Sequence, residues 1–203
     1  PGLRNDLASA YMNRGVALQH MPDLNAAVKD YGRAIRIRED LRKELEPQGR
    51  WDPELRNGLA GAYMNRGNAL AHVPDLQAAV GDYGRAIGIM EGLRDLLEPQ
   101  KRWDPKLRND LAGAYMNRGN ALAHVPDLKA AVGDYGRAIR IREDLRELLE
   151  PQGRWDPALR NDLAGAYMNR GNARRGLPDL NAAVEDYGRA IRIREDLREL
   201  LEP

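Results

Sequence analysis

Apolar residues recur along the chain at steps of three and four, which is the period of an amphipathic helix. One such stripe runs through residues 53–72 and a second runs from Leu76 to Leu97, after a short Val-Pro turn. Asp52 and Pro53 suit the N-cap and the first position of a helix. No segment alternates with the period of a strand, so the pattern predicts an all-α fold built from helix pairs. The first stripe comprises Leu55, Leu59, Ala62, Tyr63, Gly67 and Leu70.

The same helix pair occurs four times. The segment Leu-Arg-Asn begins at Leu3, Leu55, Leu107 and Leu159, a constant step of 52 residues. One pair cannot bury both of its apolar stripes, whereas pairs stacked side by side can. We therefore predict an α-solenoid of eight helices that forms a right-handed superhelix. It is expected to be a single domain over residues 1–203, with repeats at 1–52, 53–104, 105–156 and 157–203.

Three tryptophans stand at the junctions between repeats. Trp51, Trp103 and Trp155 each precede the Asp that caps the next helix. Large aromatic residues at such junctions usually bury apolar area. We expect these side chains to pack between repeats rather than to stack on a ligand.

This pattern resembles the tetratricopeptide repeat family. The matching residues, which have counterparts in every repeat, are Tyr63, Gly67, Leu70, Ala79, Tyr83 and Ala86. The usual repeat of the family is 34 residues, and Glu91 stands where the family has a proline that ends the second helix. The resemblance therefore implies an extended 52-residue variant. It also implies a non-enzymatic scaffold whose concave groove binds a peptide or protein segment.

In this family the first helix of each repeat lines the groove. An amide both donates and accepts hydrogen bonds, so a row of asparagines can hold a peptide backbone without reading its sequence. Alternatively, these amides bond within or between neighbouring helices, because unpaired buried amides are disfavoured. The implied concave-face residues are Asn13, Met64, Asn65, Asn68, His72, Met116, Asn117, Asn120, His124, Met168, Asn169, Asn172 and Arg175.

Two repeats depart from this inner face. The first repeat has Val16 where the others have asparagine, and the fourth has Arg174 and Arg175 where the third has Leu122 and Ala123. The two arginines are candidates for binding an acidic ligand. The alternative is that Arg174 marks a more exposed terminal repeat.

Composition excludes several function classes. Lys and Arg number 32 and Asp and Glu 31, for a net charge of +1. Nucleic-acid binders usually have a large basic excess, because phosphate neutralisation supplies most of their affinity. No apolar run approaches the roughly 18 residues that cross a bilayer. We expect no nucleic-acid or membrane partner and a cytoplasmic location.

The chain also lacks the residues of a reactive centre. Its cysteine count is zero, which excludes disulfides and thiolate metal sites. His20, His72 and His124 occupy equivalent places in different repeats, ~8–10 Å apart per helix contact. A shared metal needs ligand nitrogens at about 2.0–2.1 Å from the ion. With no phosphate loop, nucleophile elbow or dinucleotide motif, we expect no metal, no cofactor and no catalytic residue.

The second helix of the second repeat has an unusual composition. Gly88, Met90 and Gly92 stand where the third repeat has two arginines and an aspartate. Glycine weakens a helix interior. We predict that this helix is the least stable of the four, or that a partner surface approaches it closely.

The two terminal repeats keep their apolar residues, whereas solenoids normally end in polar capping repeats. We predict self-association through Leu3, Leu7, Leu197 and Leu201, giving dimers, or fibres if the contacts run head to tail. The alternative function is thus a self-assembling structural array. A piece excised from a longer array explains these ends equally well. The near-identical repeats also fit a recently duplicated or an engineered array.

Overall fold

The computed structural model describes residues 2–73 and 75–202, and these contain eight α-helices and no β-strand. The all-α solenoid class is thereby confirmed. The chain divides into two compact units, Pro1–Arg102 and Trp103–Pro203. Unit 1 contains α1 (Gly2–Leu18), α2 (Leu24–Leu45), α3 (Pro53–His72) and α4 (Leu76–Leu97); unit 2 contains α5 (Pro105–His124), α6 (Leu128–Leu149), α7 (Pro157–Arg175) and α8 (Leu180–Leu201). A single continuous domain and a right-handed superhelix stay predictions.

Aspartates fix where the helices begin. The carboxylate of Asp52 accepts from the backbone N–H of Leu55 at 2.9 Å, and Asp156 accepts from Leu159 at the same distance. The proline after each of these aspartates lies in the first turn, where its missing N–H is not needed. Asp75 caps α4 in the same way, accepting from Ala78 at 3.2 Å.

The ends of the second helices share one backbone geometry. Short 3₁₀ turns, Glu46–Gln48 and Glu150–Gln152, end at Gly49 and Gly153, which have φ of 67° and 66°. Glycine adopts this left-handed conformation without a steric penalty. In the equivalent place of the second repeat, Lys101 takes a φ of 57°.

The core of unit 1 lies where α2 packs on α3. Ile35 and Leu45 of α2 are buried against Leu59 and Tyr63 of α3, and Trp51 fills the same cluster. The tryptophan therefore packs at a junction between repeats, as predicted. It also holds the entry to α3 against α2.

Unit 2 repeats this packing between α6 and α7. The buried cluster consists of Ile139, Leu145, Leu149, Trp155, Leu163, Ala166, Tyr167 and Ala190. The buried residues of α6 thus pack against α7 in the same way that those of α2 pack against α3.

Within each helix pair, a glycine lets the two helices approach. A Cβ atom placed on Gly67 would lie 2.7 Å from the ring of Tyr83, and one on Gly119 would lie 2.7 Å from Tyr135. Real side chains do not come so close, so only glycine fits under this tyrosine. This contact explains why glycine and tyrosine recur together in the repeat.

Candidate peptide-binding face

The first helix of each pair is held to the second by a charged fork. Arg66 of α3 donates from Nε and Nη2 to the two carboxylate oxygens of Asp82 on α4, at 2.6 and 2.8 Å. Arg118 and Asp134 make the same two contacts in unit 2, again at 2.6 and 2.8 Å. The aspartates are buried, so a paired arginine is required to keep their charge.

The same fork occurs in the remaining two pairs, Arg14 with Asp30 and Arg170 with Asp186. The hydrogen bond and charge of Arg14 hold the pKa of Asp30 below its ordinary value. Sequence reasoning missed this fork. Its signal is an Asn-Arg-Gly segment whose arginine is followed sixteen residues later by the aspartate of Asp-Tyr-Gly, in every repeat.

A tyrosine of the first helix connects three helices. The guanidinium groups of Arg66 and Arg85 lie 5.7 and 5.6 Å from the centroid of the Tyr63 ring. Its hydroxyl donates to Glu39 of α2 at 2.9 Å. Burial and the bond to Glu39 raise the pKa of Tyr63 to about 12. These contacts tie α3 to both α2 and α4.

Asparagine amides of neighbouring repeats meet in unit 2. Asn169 of α7 donates from Nδ2 to Oδ1 of Asn120 on α5, at 3.0 Å. The same Oδ1 accepts from the hydroxyl of Tyr135 at 2.8 Å. Asn172 accepts from Tyr187 at 2.9 Å. Asn120, Asn169 and Asn172 are called the amide row below.

Three of these asparagines make internal hydrogen bonds, and their role in a groove stays a prediction. The Oδ1 atoms of Asn68, Asn120 and Asn172 accept from a tyrosine of the same repeat. Yet Asn120 and Asn172 remain exposed, and an amide whose oxygen is engaged still carries two N–H donors. The tyrosine bond therefore anchors the amide in the face without using up its donors.

The other predicted face residues differ in exposure. Met64, Met116 and Met168 are half-buried and pack against the core clusters. Asn65, Asn117 and Asn169 are half-buried, whereas Asn13, His72, His124 and Arg175 are exposed. The ring of His72 bonds through Nδ1 to the carbonyl of Asn68, in its own helix, at 2.8 Å.

The two arginines at the end of α7 separate in role. Arg174 donates to Asp186 at 2.9 Å and to the carbonyl of Ala182 at 3.3 Å, so it belongs to the internal fork. Arg175 is exposed and remains the candidate for an acidic group on a ligand.

The first repeat lacks the asparagine anchor. Val16 occupies its place, and the buried hydroxyl of Tyr31 has no hydrogen-bond partner among the described residues. Burial raises the pKa of Tyr31. The hydrogen bond between tyrosine and asparagine is therefore absent at position 16 of the face.

A cavity of 450 Å³ lies between α2, α3 and α4, and its lining includes Trp51, Tyr63 and Ile89. The equivalent cavity of unit 2 measures 300 Å³ and is lined by Arg192 and Asp196, which stand in place of Gly88 and Gly92. The glycines of α4 thus enlarge this space.

Within the described residues, no group of three or more His, Cys, Asp and Glu side chains could hold a metal ion. The described helices also include none that combines the length and apolar character of a membrane span.

Sequence models of the tetratricopeptide repeat match residues 7–42 and 164–197. Each match covers most of one helix pair, α1 with α2 and α7 with α8. The chain contains tetratricopeptide repeats. Its extended 52-residue repeat stays a prediction, and no curated protein sequence matches the chain.

Solved helical repeat structures resemble this chain. The DHF58 filament has a TM-score of 0.52 at 20% identity and covers 98% of this chain and 92% of its own. The de novo designed helical repeat protein DHR64 has 0.50 at 20%, covering 99% and 92%. MamA has 0.49 at 18%, covering 91% and 96%. At these identities the likeness concerns the fold alone.

Proposed function

We propose that this protein is a non-enzymatic interaction scaffold that binds an extended peptide or protein segment along its first helices. Protein interaction is the general role of tetratricopeptide repeats, and the groove is the finer proposal. The observation that carries it is the contact between Asn169 and Asn120, which joins the amides of two successive repeats into one row.

The amide row suits the backbone of a ligand. Each residue of an extended peptide offers a carbonyl, and the Nδ2 groups of Asn120 and Asn172 supply donors on an exposed surface. Because Tyr135 and Tyr187 already fix these side chains, binding freezes fewer rotamers and loses less entropy.

The spacing of the repeats sets how often the peptide is held. Neighbouring helices pack roughly 8–10 Å apart, and an extended chain rises about 3.3 Å per residue. One amide anchor therefore serves about every third residue of the ligand. The half-buried Met116 and Met168 offer adaptable apolar contact to the side chains between these anchors.

Charge near the end of α7 favours one ligand end. Arg175 is exposed at the last turn of that helix, whereas its neighbour Arg174 is engaged with Asp186. We propose that Arg175 pairs with an acidic side chain or the terminal carboxylate of the bound segment.

The test uses substitutions that remove the amide N–H donors of Asn120 and Asn172 and keep their hydrogen bonds to the tyrosines. An aspartate at position 120 or 172 still accepts from the tyrosine hydroxyl but has no amide N–H. Binders are first selected from an array of unrelated unstructured peptides, and their affinity is then measured by calorimetry. Asn120→Asp with Asn172→Asp is expected to weaken binding about tenfold or more, irrespective of peptide sequence.

A matched control is Tyr135→Phe, which removes the hydrogen bond that holds Asn120 in place but leaves the amide of Asn120 intact. It should weaken binding less than the double aspartate variant does. Peptide binding that is unchanged in the double variant, or that protects only α6 and α8 from amide exchange, would contradict the groove proposal.

A further inference from the structure

Two helices of the chain present apolar faces to solvent. On α8, Val184 and Ile191 are 68% and 53% exposed, and Leu180 and Leu201 are also exposed. On α1, Leu3 and Leu7 are 87% and 50% exposed. We call the first set the tail face and the second the head face. The predicted end residue Leu197 is instead buried, so it does not belong to the tail face.

Both faces have counterparts that are covered inside each unit. Ile35 and Ile139, the equivalents of Ile191, are 6% and 2% exposed because α3 and α7 pack on them. Leu59 and Leu163, the equivalents of Leu7, are buried in the same two clusters. Inside each unit, the equivalents of the tail face are therefore covered by the equivalents of the head face.

The polar contacts at these junctions follow the same correspondence. Arg38 of α2 donates to the carbonyl of Gly58 at 2.8 Å, and Arg142 of α6 donates to that of Asp162 at 3.0 Å. The equivalent arginine of α8 is the exposed Arg194. The residue of α1 that corresponds to Gly58 and Asp162 is Asp6, which is also exposed.

A tyrosine bond completes the set. Tyr63 of α3 donates to Glu39 of α2, and Tyr167 of α7 donates to Glu143 of α6. On the exposed faces the corresponding residues are Tyr11 of α1 and Glu195 of α8. A cation, a carboxylate and a hydroxyl are thus placed where a repeat junction uses them.

We propose that the tail face of one molecule docks on the head face of a second copy, in the register that α2 takes on α3. In this register Arg194 meets Asp6 of the second copy, and Glu195 accepts from Tyr11 of the second copy. The partner is a second copy because its head face presents the counterparts of the residues that cover α2 and α6 inside each unit. The contact joins different surfaces, so it leaves a free tail and a free head and propagates.

The test blocks one face at a time. Val184→Glu with Ile191→Glu blocks the tail, and Leu3→Glu with Leu7→Glu blocks the head. All four side chains are exposed, so the fold is retained, which circular dichroism verifies. Leu148→Glu, at an exposed leucine outside both faces, is the control and should behave like the unsubstituted protein.

Mass in solution is measured by sedimentation over a range of concentrations. We expect the unsubstituted protein to grow beyond a dimer, each blocked variant to remain a monomer, and their one-to-one mixture to stop at a heterodimer. A strict monomer at every concentration overturns the proposal. So does a head-blocked variant that still dimerises, because that outcome indicates pairing of two tail faces.

The register has its own test. Arg194→Glu and Asp6→Arg should each weaken association, and the chain that carries both should associate more strongly than either single variant. If the double variant associates as weakly as the single variants, the proposed register is wrong. None of these substitutions touches the amide row, so peptide binding is expected to persist in every variant and reports on the groove independently.

Discussion

At the scale of single residues, Tyr31 differs from its three counterparts. Tyr83, Tyr135 and Tyr187 donate to an asparagine, whereas the hydroxyl of Tyr31 is buried without a partner among the described residues, and Val16 stands where the other repeats have that asparagine. A buried polar group left without a hydrogen bond destabilises the folded state.

The substitution Val16→Asn should repair this position. Valine and asparagine have similar helix propensities, so the added hydrogen bond decides the outcome. We expect the free energy of unfolding to rise by about 1 kcal/mol, as measured by urea denaturation. In a Tyr31→Phe background the same substitution should give no gain, and an equal gain there would contradict the explanation.

The sequence predicts the types of residue on the candidate face better than their bonds. Asn120 was recognised both as a groove residue and as a possible internal partner, because an amide suits either role. The fork of Arg66 and Asp82 was missed, since both residues look like ordinary surface charges until the helices pack. The bond of Arg174 to Asp186 was missed for the same reason. Of the two arginines at the end of α7, only Arg175 is exposed.

At the scale of helices, α4 is the element whose sequence least favours its structure. A Cβ atom on Gly88 or Gly92 would meet nothing within 4 Å. The packing of the described residues therefore does not require glycine there. The two residues lower the helix propensity of α4 and enlarge the cavity beside Tyr63.

Placing the α8 residues in α4, as Gly88→Arg with Gly92→Asp, should stabilise the protein. The gain in helix propensity is about 1 kcal/mol for the pair. Amide exchange of α4 should slow relative to α6. Gly67→Ala is the contrasting control, because its new Cβ would press on Tyr83 and should lower stability despite the same gain in propensity.

The helix boundaries were the most predictable part of the fold. The pattern placed a first helix from Pro53 to His72 and a second from Leu76 that stops before Pro99, and the structure agrees. The short 3₁₀ turn before Gly49 was not predicted, because it depends on a left-handed residue beyond the helix. Leu197 was predicted to be exposed at the end of the chain and is buried, since periodicity alone does not show which side of α8 the fold covers.

At the scale of the whole molecule, buried tyrosines couple stability to alkaline pH. Burial raises the pKa of Tyr63, Tyr83 and Tyr135 to about 12, from an ordinary value of 10.0. The folded protein therefore retains these protons where the unfolded chain has lost them. Stability is full below pH 10 and falls as the pH rises towards 12.

Urea denaturation across this window should show the free energy of unfolding falling with pH. Each such tyrosine contributes a slope of at most about 1.4 kcal/mol per pH unit. Tyr83→Phe should remove one contribution and flatten the curve. A slope that is unchanged in this variant would contradict the assignment to these hydroxyls.

The order of repeats along the chain was evident from the constant 52-residue step. The step does not define how many compact units result, and two were found, Pro1–Arg102 and Trp103–Pro203. Near-identical repeats carry the same internal contacts, so sequence alone does not distinguish one body from two.

The likeness of α3 and α7 has a consequence for refolding. Each presents the same apolar residues to the helix before it, so α2 can recruit either of them from the unfolded chain. Correct pairing is favoured mainly by the shorter loop, and each doubling of loop length adds only about 0.6 kcal/mol. We therefore expect kinetic traps in which a whole repeat is skipped, and a slow refolding phase that proline isomerisation does not explain.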